Sequence, residues 1–377
     1  MIMGKLSLWN GRRERRNFLV AMAFLLPNFL GFLIFTAFPV LLSLYMSFTN
    51  WTLKAGRPLE WVGPRNYTDI FSSGTFWFYL YNTVFFMLAI PVGVIGSLLL
   101  ANALAGSMRI KHSGKRWKLA ASFAALGIFT VGFLILMGKT DAALLCAIAY
   151  IGGFFGILFG SVTYRTMFYI PSFASGVATV ILWTAIYKSD GGLANTIISS
   201  FLPAGAALPT WLSSTKNLLG FLPLPELFAN GGFGLGAREA IMIMGIWMGV
   251  GGNNMILYIA AISGIPNSLY EAADIDGAGA LSKFWHITVP SVAPTTFFIA
   301  IMAVIGGLQG GFMQAKIMTG GGPAETTTTL AYDIYTTGFE ELEFGAASAI
   351  AWVLFAIVFI CTLINWKYGN KKVESAT

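Results

Sequence analysis

Residues 263–292 read SGIPNSLYEAADIDGAGALSKFWHITVPSV, and they separate two predominantly apolar runs, 240–262 and 293–315. A helix of about 20 apolar residues crosses a bilayer, so each run is long enough to span. The stretch between them follows a different plan. Pro266 suits the first turn of a helix, and Leu269, Ala272 and Ala273 then recur at helical spacing. Gly277 and Gly279 break that helix. A second short amphipathic helix follows, with Leu281, Phe284 and Trp285 on one side. Pro290 is expected to end it, and Pro294 to open the next span. The reading is a helix–turn–helix lying on one face of a membrane.

The composition agrees with that reading. The chain has 377 residues, of which 56% are hydrophobic and 10% charged, against about 25% charged in an ordinary soluble domain. This excludes a soluble enzyme, a disordered chain and a disulfide scaffold. Cys146 and Cys361 both sit in apolar runs, so no disulfide is expected. His112 and His286 stand alone, so no zinc site is expected.

Eight apolar segments are read, at roughly 18–48, 79–105, 119–137, 142–163, 167–187, 240–262, 293–315 and 346–366. The first holds Pro27 and Pro39, which predicts a kink or a short lead-in before the crossing. It is too long for the apolar region of a cleaved signal peptide. With the N-terminus in the cytoplasm, the inner segments are 1–17, 106–118, 164–166, 263–292 and 367–377. They carry 15 of the 23 Lys/Arg and a net charge of +10, against −3 outside. Excess Lys/Arg marks the cytoplasmic side, so both termini are placed inside. The runs Arg12, Arg13, Arg15, Arg16 and Arg109, Lys111, Lys115, Arg116, Lys118 carry most of the signal. Binding of nucleic acid by those runs is the rejected competitor.

Two outer loops are long. Residues 49–78 hold Trp51, Trp61, Tyr67, Phe76 and Trp77, an interfacial aromatic belt. Residues 188–239 hold Pro203, Pro209, Pro223 and Pro225, and either present a surface to an outside partner or merely connect two spans.

Within the inner loop, the small residues Ala272, Ala273, Gly277, Ala278, Gly279 and Ala280 allow another backbone to approach, and Glu271, Asp274 and Asp276 form an acidic face. Such a helix either docks in a partner's groove or is a connector packed on its own bundle. The run Glu271-Ala272-Ala273, then Gly277, then nine residues, then Ile287-Thr288-Val289-Pro290, resembles the EAA loop of binding-protein-dependent ABC importer permeases. Val289 stands where that pattern has Leu. Other pieces are similar to the carbohydrate, maltose-type branch. They are Phe38-Pro39, Ser47-Phe48-Thr49-Asn50-Trp51, Val62-Gly63 with Asn66-Tyr67, Thr319-Gly320-Gly321-Gly322-Pro323, and Phe344-Gly345-Ala346-Ala347-Ser348-Ala349. The likeness covers roughly 18–105 and 164–368.

The resemblance implies an all-α integral membrane protein with a six-span permease core. The stretch 112–163 is then a surplus hydrophobic hairpin turned at Gly138-Lys139-Thr140-Asp141, expected to pack peripherally. The expected organisation is a basic cytoplasmic N-terminus (1–17), two core spans (18–111), the hairpin (112–163), the remaining core spans with the EAA loop (164–368) and a cytoplasmic tail (369–377). The resemblance further implies ATPase coupling through Glu271, Ala272, Ala273, Gly277, Ile287 and Pro290. It implies a second permease subunit, a cytoplasmic ABC ATPase dimer that binds ATP and magnesium, an extracytoplasmic solute-binding protein, and residence in a bacterial-type inner membrane. The chain itself is expected to be non-catalytic and without cofactor. It has no G-x-x-x-x-G-K-[ST] loop, and Gly114-Lys115 lacks the rest of that pattern.

Polar residues in spans face a cavity or another helix. Asn253, Asn254, Gln309 and Gln314 are such residues, and Trp247 offers a ring to a sugar face. The pairs Gly251-Gly252, Gly306-Gly307 and Gly310-Gly311 allow close helix packing or an open backbone lining a cavity. Path lining and helix–helix contact both remain open for each residue. The spans as drawn hold no deep charge, which suits a neutral solute. It argues against the alternative, a secondary transporter coupled to ions through intramembrane carboxylates. A membrane-embedded enzyme would need paired carboxylates or a Ser/His set at one depth, which the spans lack.

Overall fold

A computed structural model describes residues 12–56, 58–106, 116–138, 140–173, 176–200, 202–203, 206–221 and 231–374. Among them the fold is all helix, with only two isolated bridges, Thr49 to Trp61 and Asn217 to Phe233. Apolar solvent offers a backbone no partner, so each crossing must bond to itself. Part of the basic run at 109–118 and residue 139 of the hairpin turn lie outside the described residues.

The helices, in chain order, are α1 (Arg12–Phe32), α2 (Phe38–Met46), α3 (Arg65–Ser72), α4 (Gly74–Met87), α5 (Ala89–Gly106), α6 (Arg116–Leu136), α7 (Thr140–Phe159), α8 (Ser161–Tyr169) and α9 (Gly176–Ile186). Then come α10 (Leu193–Ser199), α11 (Ala237–Gly249), α12 (Gly252–Ser263), α13 (Asn267–Ile275), α14 (Ala280–Lys283), α15 (Val289–Ser291), α16 (Ala293–Gln309), α17 (Phe312–Gln314), α18 (Leu330–Tyr335) and α19 (Phe344–Glu374). Six stretches are long and apolar enough to span: Arg15–Met46, Gly74–Ala105, Leu119–Leu136, Ala237–Ser263, Ala293–Thr319 and Phe344–Lys367. A bent pair, Val162–Phe173 and Gly176–Ile186, meets at 100° and makes a seventh if counted as one. The one remaining segment read from sequence, 142–163, is α7, whose described apolar part, Cys146–Ile157, is shorter.

The expected hairpin is α6 and α7, and close contacts join them. A Cβ at Gly127 would lie 2.7 Å from Tyr150, and one at Gly153 would lie 2.5 Å from Phe123. The hairpin is also seated on α8: a Cβ at Gly152 would lie 3.0 Å from Met167.

One expectation about proline shifts. The helix continues without interruption through Pro39 and for one residue past Pro290, and each proline follows a π-turn, Leu33–Ala37 and Phe284–Thr288. In each turn the residue before the proline, Phe38 or Val289, bonds back five residues to Leu33 or Phe284. The extra residue in the turn makes room for a ring that would otherwise strike the preceding carbonyl. The second inner-loop helix therefore does not end at Pro290. The break falls at Val292 (φ −95°, ψ 6°).

The chain forms two compact units, 1–72 with 334–353, and 73–333 with 354–377. In the first, side chains from distant motifs close on one another. The Asn66 amide donates to the carbonyls of Ser47 (2.8 Å) and Thr49 (2.9 Å). The Thr52 hydroxyl donates to the Leu342 carbonyl at 2.9 Å. A Cβ at Gly345 would lie 2.2 Å from the Thr49 carbonyl oxygen, so no larger residue fits there.

The second unit holds a feature that the span boundaries drawn from sequence left outside the membrane. Helix α11 begins three residues before the apolar run, and Arg238 and Glu239 are fully buried there. The Glu239 carboxylate accepts from the amides of Leu218 (2.7 Å) and Gly236 (3.0 Å). Arg238 Nε donates to Asn82 Oδ1 and to the Thr326 carbonyl, both at 3.0 Å. Asn82 in turn donates to the carbonyls of Glu325 (3.0 Å) and Thr328 (2.9 Å). Lys316 also lies within a span, its ammonium 5.6 Å from the centroid of the Phe312 ring. The spans are therefore not free of charge, though these charges sit toward span ends.

Removing one partner from a buried hydrogen-bonded charge leaves the others unpaired. Arg238→Ala is expected to lower stability by about 3 kcal/mol, read as a reduced unfolding midpoint of the purified protein in detergent. Lys316→Ala, which is exposed, should leave that midpoint nearly unchanged.

Candidate functional site

Three interruptions of helix converge in the second unit. The first lies midway along the span Ala237–Ser263, where Val250 (φ −83°, ψ 64°) and Gly251 (φ +150°) separate α11 from α12. The second follows Gln309, where Gly310 is extended and Gly311 is left-handed (φ +86°). The third is the 100° bend before α9. Non-helical backbone is tolerated at membrane depth where it is buried in protein or lines a water-filled cavity.

A chiefly apolar cavity of about 480 Å³ lies between the hairpin and the first break, lined by Gly152, Met167, Trp247 and Val250 among others, and two further cavities at these breaks hold the path candidates. One, of about 300 Å³, is lined by Phe168, Pro171 and Ser172 on one side and by Trp247, Met248, Gly251, Gly252, Asn253 and Asn254 on the other. The second, of about 280 Å³, is lined by α9, by Met244 and Met248 of α11, and by residues 309–314 including Gln309 and Gln314. Met248 borders both. The five path candidates thus divide three and two between cavities that share one wall residue, and none of the described lining residues is charged. Trp247 stands edge-on to Trp183 with centroids 5.5 Å apart, which leaves it about half exposed toward the cavity.

The residues of 263–292 gather elsewhere in the same unit. Helix α13 starts after Pro266, and its end is shaped by Gly277. The Gly277 amide donates to the Asp274 carbonyl and the Ala278 amide to the Ala273 carbonyl, with Gly277 left-handed (φ +72°). This is a Schellman end. Open space surrounds the position where a Gly277 Cβ would sit, so glycine is needed there for its backbone and not for room. Gly279 has ordinary φ (−68°) and caps α14.

The loop is anchored from below. Ile265, Phe284 and Val292 belong to a buried cluster with Leu98, Tyr258 and Ile299, and Ile287 and Val289 pack against it. The Tyr270 hydroxyl bonds that of Thr288 at 2.9 Å, and Lys283 pairs with Asp274. Phe284 is therefore core, not part of a docking face, which corrects the grouping read from sequence. Its neighbours are outward: Trp285 is 58% exposed, Leu281 71%, Leu269 47%, and Ile275, absent from the sequence reading, 88%. Glu271 and Ala272 are exposed beside them, Ala273 is half-buried and Pro290 is exposed. The result is a fixed helix pair that holds four large apolar side chains and an acidic edge away from its own core.

Sequence reasoning missed Ser97, Arg238 and Met248. For Ser97 a signal was present: a hydroxyl in an apolar run, next to Gly93 and Gly96.

Residues 140–369 match the family described as binding-protein-dependent transport system inner membrane component. The chain is 27% identical over 369 residues to the probable ABC transporter permease protein YesP of Bacillus subtilis, covering 97% of this chain and 94% of that one. It is 26% identical to the multiple sugar-binding transport system permease protein MsmF of Streptococcus mutans, covering 90% and 91%. A solved bacterial ABC transporter involved in the import of the acidic polysaccharide alginate has the same fold, with a TM-score of 0.65 at 21% identity over 95% of this chain and 96% of that one.

If the two cavities hold water, thiols placed in them should react with a water-soluble maleimide in intact membranes. With Cys146 and Cys361 replaced by Ala, Asn253→Cys and Gln314→Cys are expected to label. Leu257→Cys on the outer side of α12 should not. Equal protection of all three would make Asn253 and Gln314 helix contacts only.

Proposed function

This chain is a member of the binding-protein-dependent transport system inner membrane component family, and we propose that it forms the translocation path of an ATP-driven importer for a sugar or oligosaccharide. It is a multi-pass, non-catalytic transport subunit. The observation that supports the substrate class is the lining of the two cavities: amide side chains, one half-exposed indole and no charge among the described residues. Amides both donate and accept, as hydroxyl-rich solutes require, and an indole face suits the apolar face of a sugar ring. The name of the similar MsmF protein points to the same class.

The working assembly is this chain with a second permease subunit, a cytoplasmic ATPase dimer holding ATP and magnesium, and an extracytoplasmic solute-binding protein. Both termini lie in the cytoplasm, and so do the exposed face of α13 and α14. Glu271, Ala272 and Ala273 seat α13 in a groove of the ATPase. Gly277 ends that helix, and Ile287 and Pro290 hold the loop to the bundle. Leu269, Ile275, Leu281 and Trp285 supply the apolar area for docking. Closure of the ATPase dimer moves α13 and switches the path. The hairpin 112–163 is an addition to a six-span core. Ion-coupled secondary transport is not favoured, because the family is binding-protein-dependent and the described residues of the cavity walls include no carboxylate.

In vesicles containing the assembled importer, Glu271→Ala is expected to lower solute import by about 10- to 150-fold, the loss of one charged contact of roughly 1.5–3 kcal/mol. Recovery of the ATPase with the permease should fall in parallel, while membrane insertion stays intact. Wild-type import with wild-type ATPase recovery would end the coupling assignment. Import should follow ATP and survive an uncoupler at constant ATP. Abolition by the uncoupler would favour the secondary transporter.

A further inference from the structure

Among the polar groups that the break between α11 and α12 leaves outside the helical ladder are the Gly249 carbonyl and the Gly251 amide. In apolar surroundings each is expensive to leave unpaired. One side chain takes both. The Ser97 hydroxyl, fully buried on α5, donates to the Gly249 carbonyl at 2.6 Å and accepts from the Gly251 amide at 3.2 Å. Among small side chains a hydroxyl alone does both at once.

The surroundings are shaped for this contact. A Cβ at Gly93 would lie 3.2 Å from the Gly249 Cα, and one at Gly96 would lie 2.6 Å from the Val250 side chain. The two glycines therefore let the broken segment lie directly against α5 and bring it within reach of Ser97 one residue on. On the opposite side, a Cβ at Gly251 would lie 2.8 Å from the Phe168 carbonyl oxygen. The break is held between α5 and α8, and one hydroxyl bonds to both sides of it.

Helix α12 connects the two regions described above. It begins beside Asn253 and Asn254 at the cavity and ends at Ser263, three residues before α13 begins after Pro266. Its 12 residues make a rod of about 18 Å. Movement of α13 reaches the cavity through this rod, and the only non-helical backbone on its far side is Val250–Gly251.

We propose that Ser97 is a positioning residue that clasps a pivot at Gly251, so that α12 swings as a unit and carries Asn253 and Asn254 with it. The pivot role rests on the reading of α13 as the ATPase-coupling helix. The shorter bond to Gly249 stays with α11, and the longer bond to Gly251 is released and remade as α12 swings. Loss of the hydroxyl loosens the pivot and lets α13 move without moving the cavity wall.

The test uses the assembled importer in lipid nanodiscs, comparing wild type with Ser97→Ala, which adds no atoms. Two quantities are read: hydrogen exchange of amides in 246–256, and solute imported per ATP hydrolysed. Exchange at Gly251 is expected to rise about 5- to 30-fold, with the hairpin amides unchanged. Solute per ATP is expected to fall several-fold while ATP hydrolysis persists. A merely weakened fold would lower import and hydrolysis together, and that result would overturn the proposal. Unchanged exchange at Gly251 would remove the clasp. Raised exchange with an unchanged solute-to-ATP ratio would remove the pivot. Failure of the coupling reading is told apart by Glu271→Ala in the same assay: wild-type import and ATPase recovery in that variant end the coupling reading, whatever Ser97→Ala does to exchange at Gly251. If Ser97→Ala does not assemble, Ser97→Cys, with a weaker donor and acceptor, is measured in its place against the same outcomes.

Discussion

A backbone amide or carbonyl without a partner is costly in an apolar medium, and this chain nevertheless interrupts its spans where its cavities lie. That constraint organises the second unit. The break at Val250–Gly251 is tolerated in part because Ser97 meets two of the freed groups and because glycines at 93, 96 and 251 let the neighbouring segments approach. The break at Gly310–Gly311 has a left-handed glycine pressed toward Thr329, where a Cβ would lie 2.5 Å from the threonine methyl. In the same unit, Arg238 and Asn82 take up the carbonyls of Glu325, Thr326 and Thr328, at and beside the buried threonine run 326–329. Irregular backbone and its polar satisfaction thus occur together.

Much of the frame was legible because it rests on local chemistry. Apolar runs, basic loops and the EAA spacing are readable in one dimension, and the helix 267–275 with its glycine end at 277 follows from Pro266 and Gly277. The errors have local causes too. Proline was read as a stop at 290, yet a π-turn immediately before it lets the helix continue, and a π-turn leaves no mark in composition. Phe284 was grouped with Leu281 and Trp285, but that same π-turn shifts the facing of the residues within it, and Phe284 enters the core.

The site was legible only in its parts. Asn253, Asn254, Gln309 and Gln314 stand out as amides in apolar runs. Their division between two cavities sharing Met248 depends on how α9, α11 and residues 309–314 cross, which no single run reveals. Ser97 and Arg238 went unread for a related reason: their partners lie about 150 residues away in sequence, at separations of 152, 154 and 156.

The first unit shows how such separations bear on the making of the protein. Thr52 and Leu342 are 290 residues apart, and Lys54 meets Glu343 across nearly the same distance at 2.7 Å. During synthesis the early segment of this unit must wait, without its mates, until almost the whole chain has left the ribosome. Closing so long a loop is entropically slow to begin. The N-terminal span inserts first and the unit at its far end is finished last. A chain truncated before residue 334 would hold its first span in the bilayer and never complete that unit.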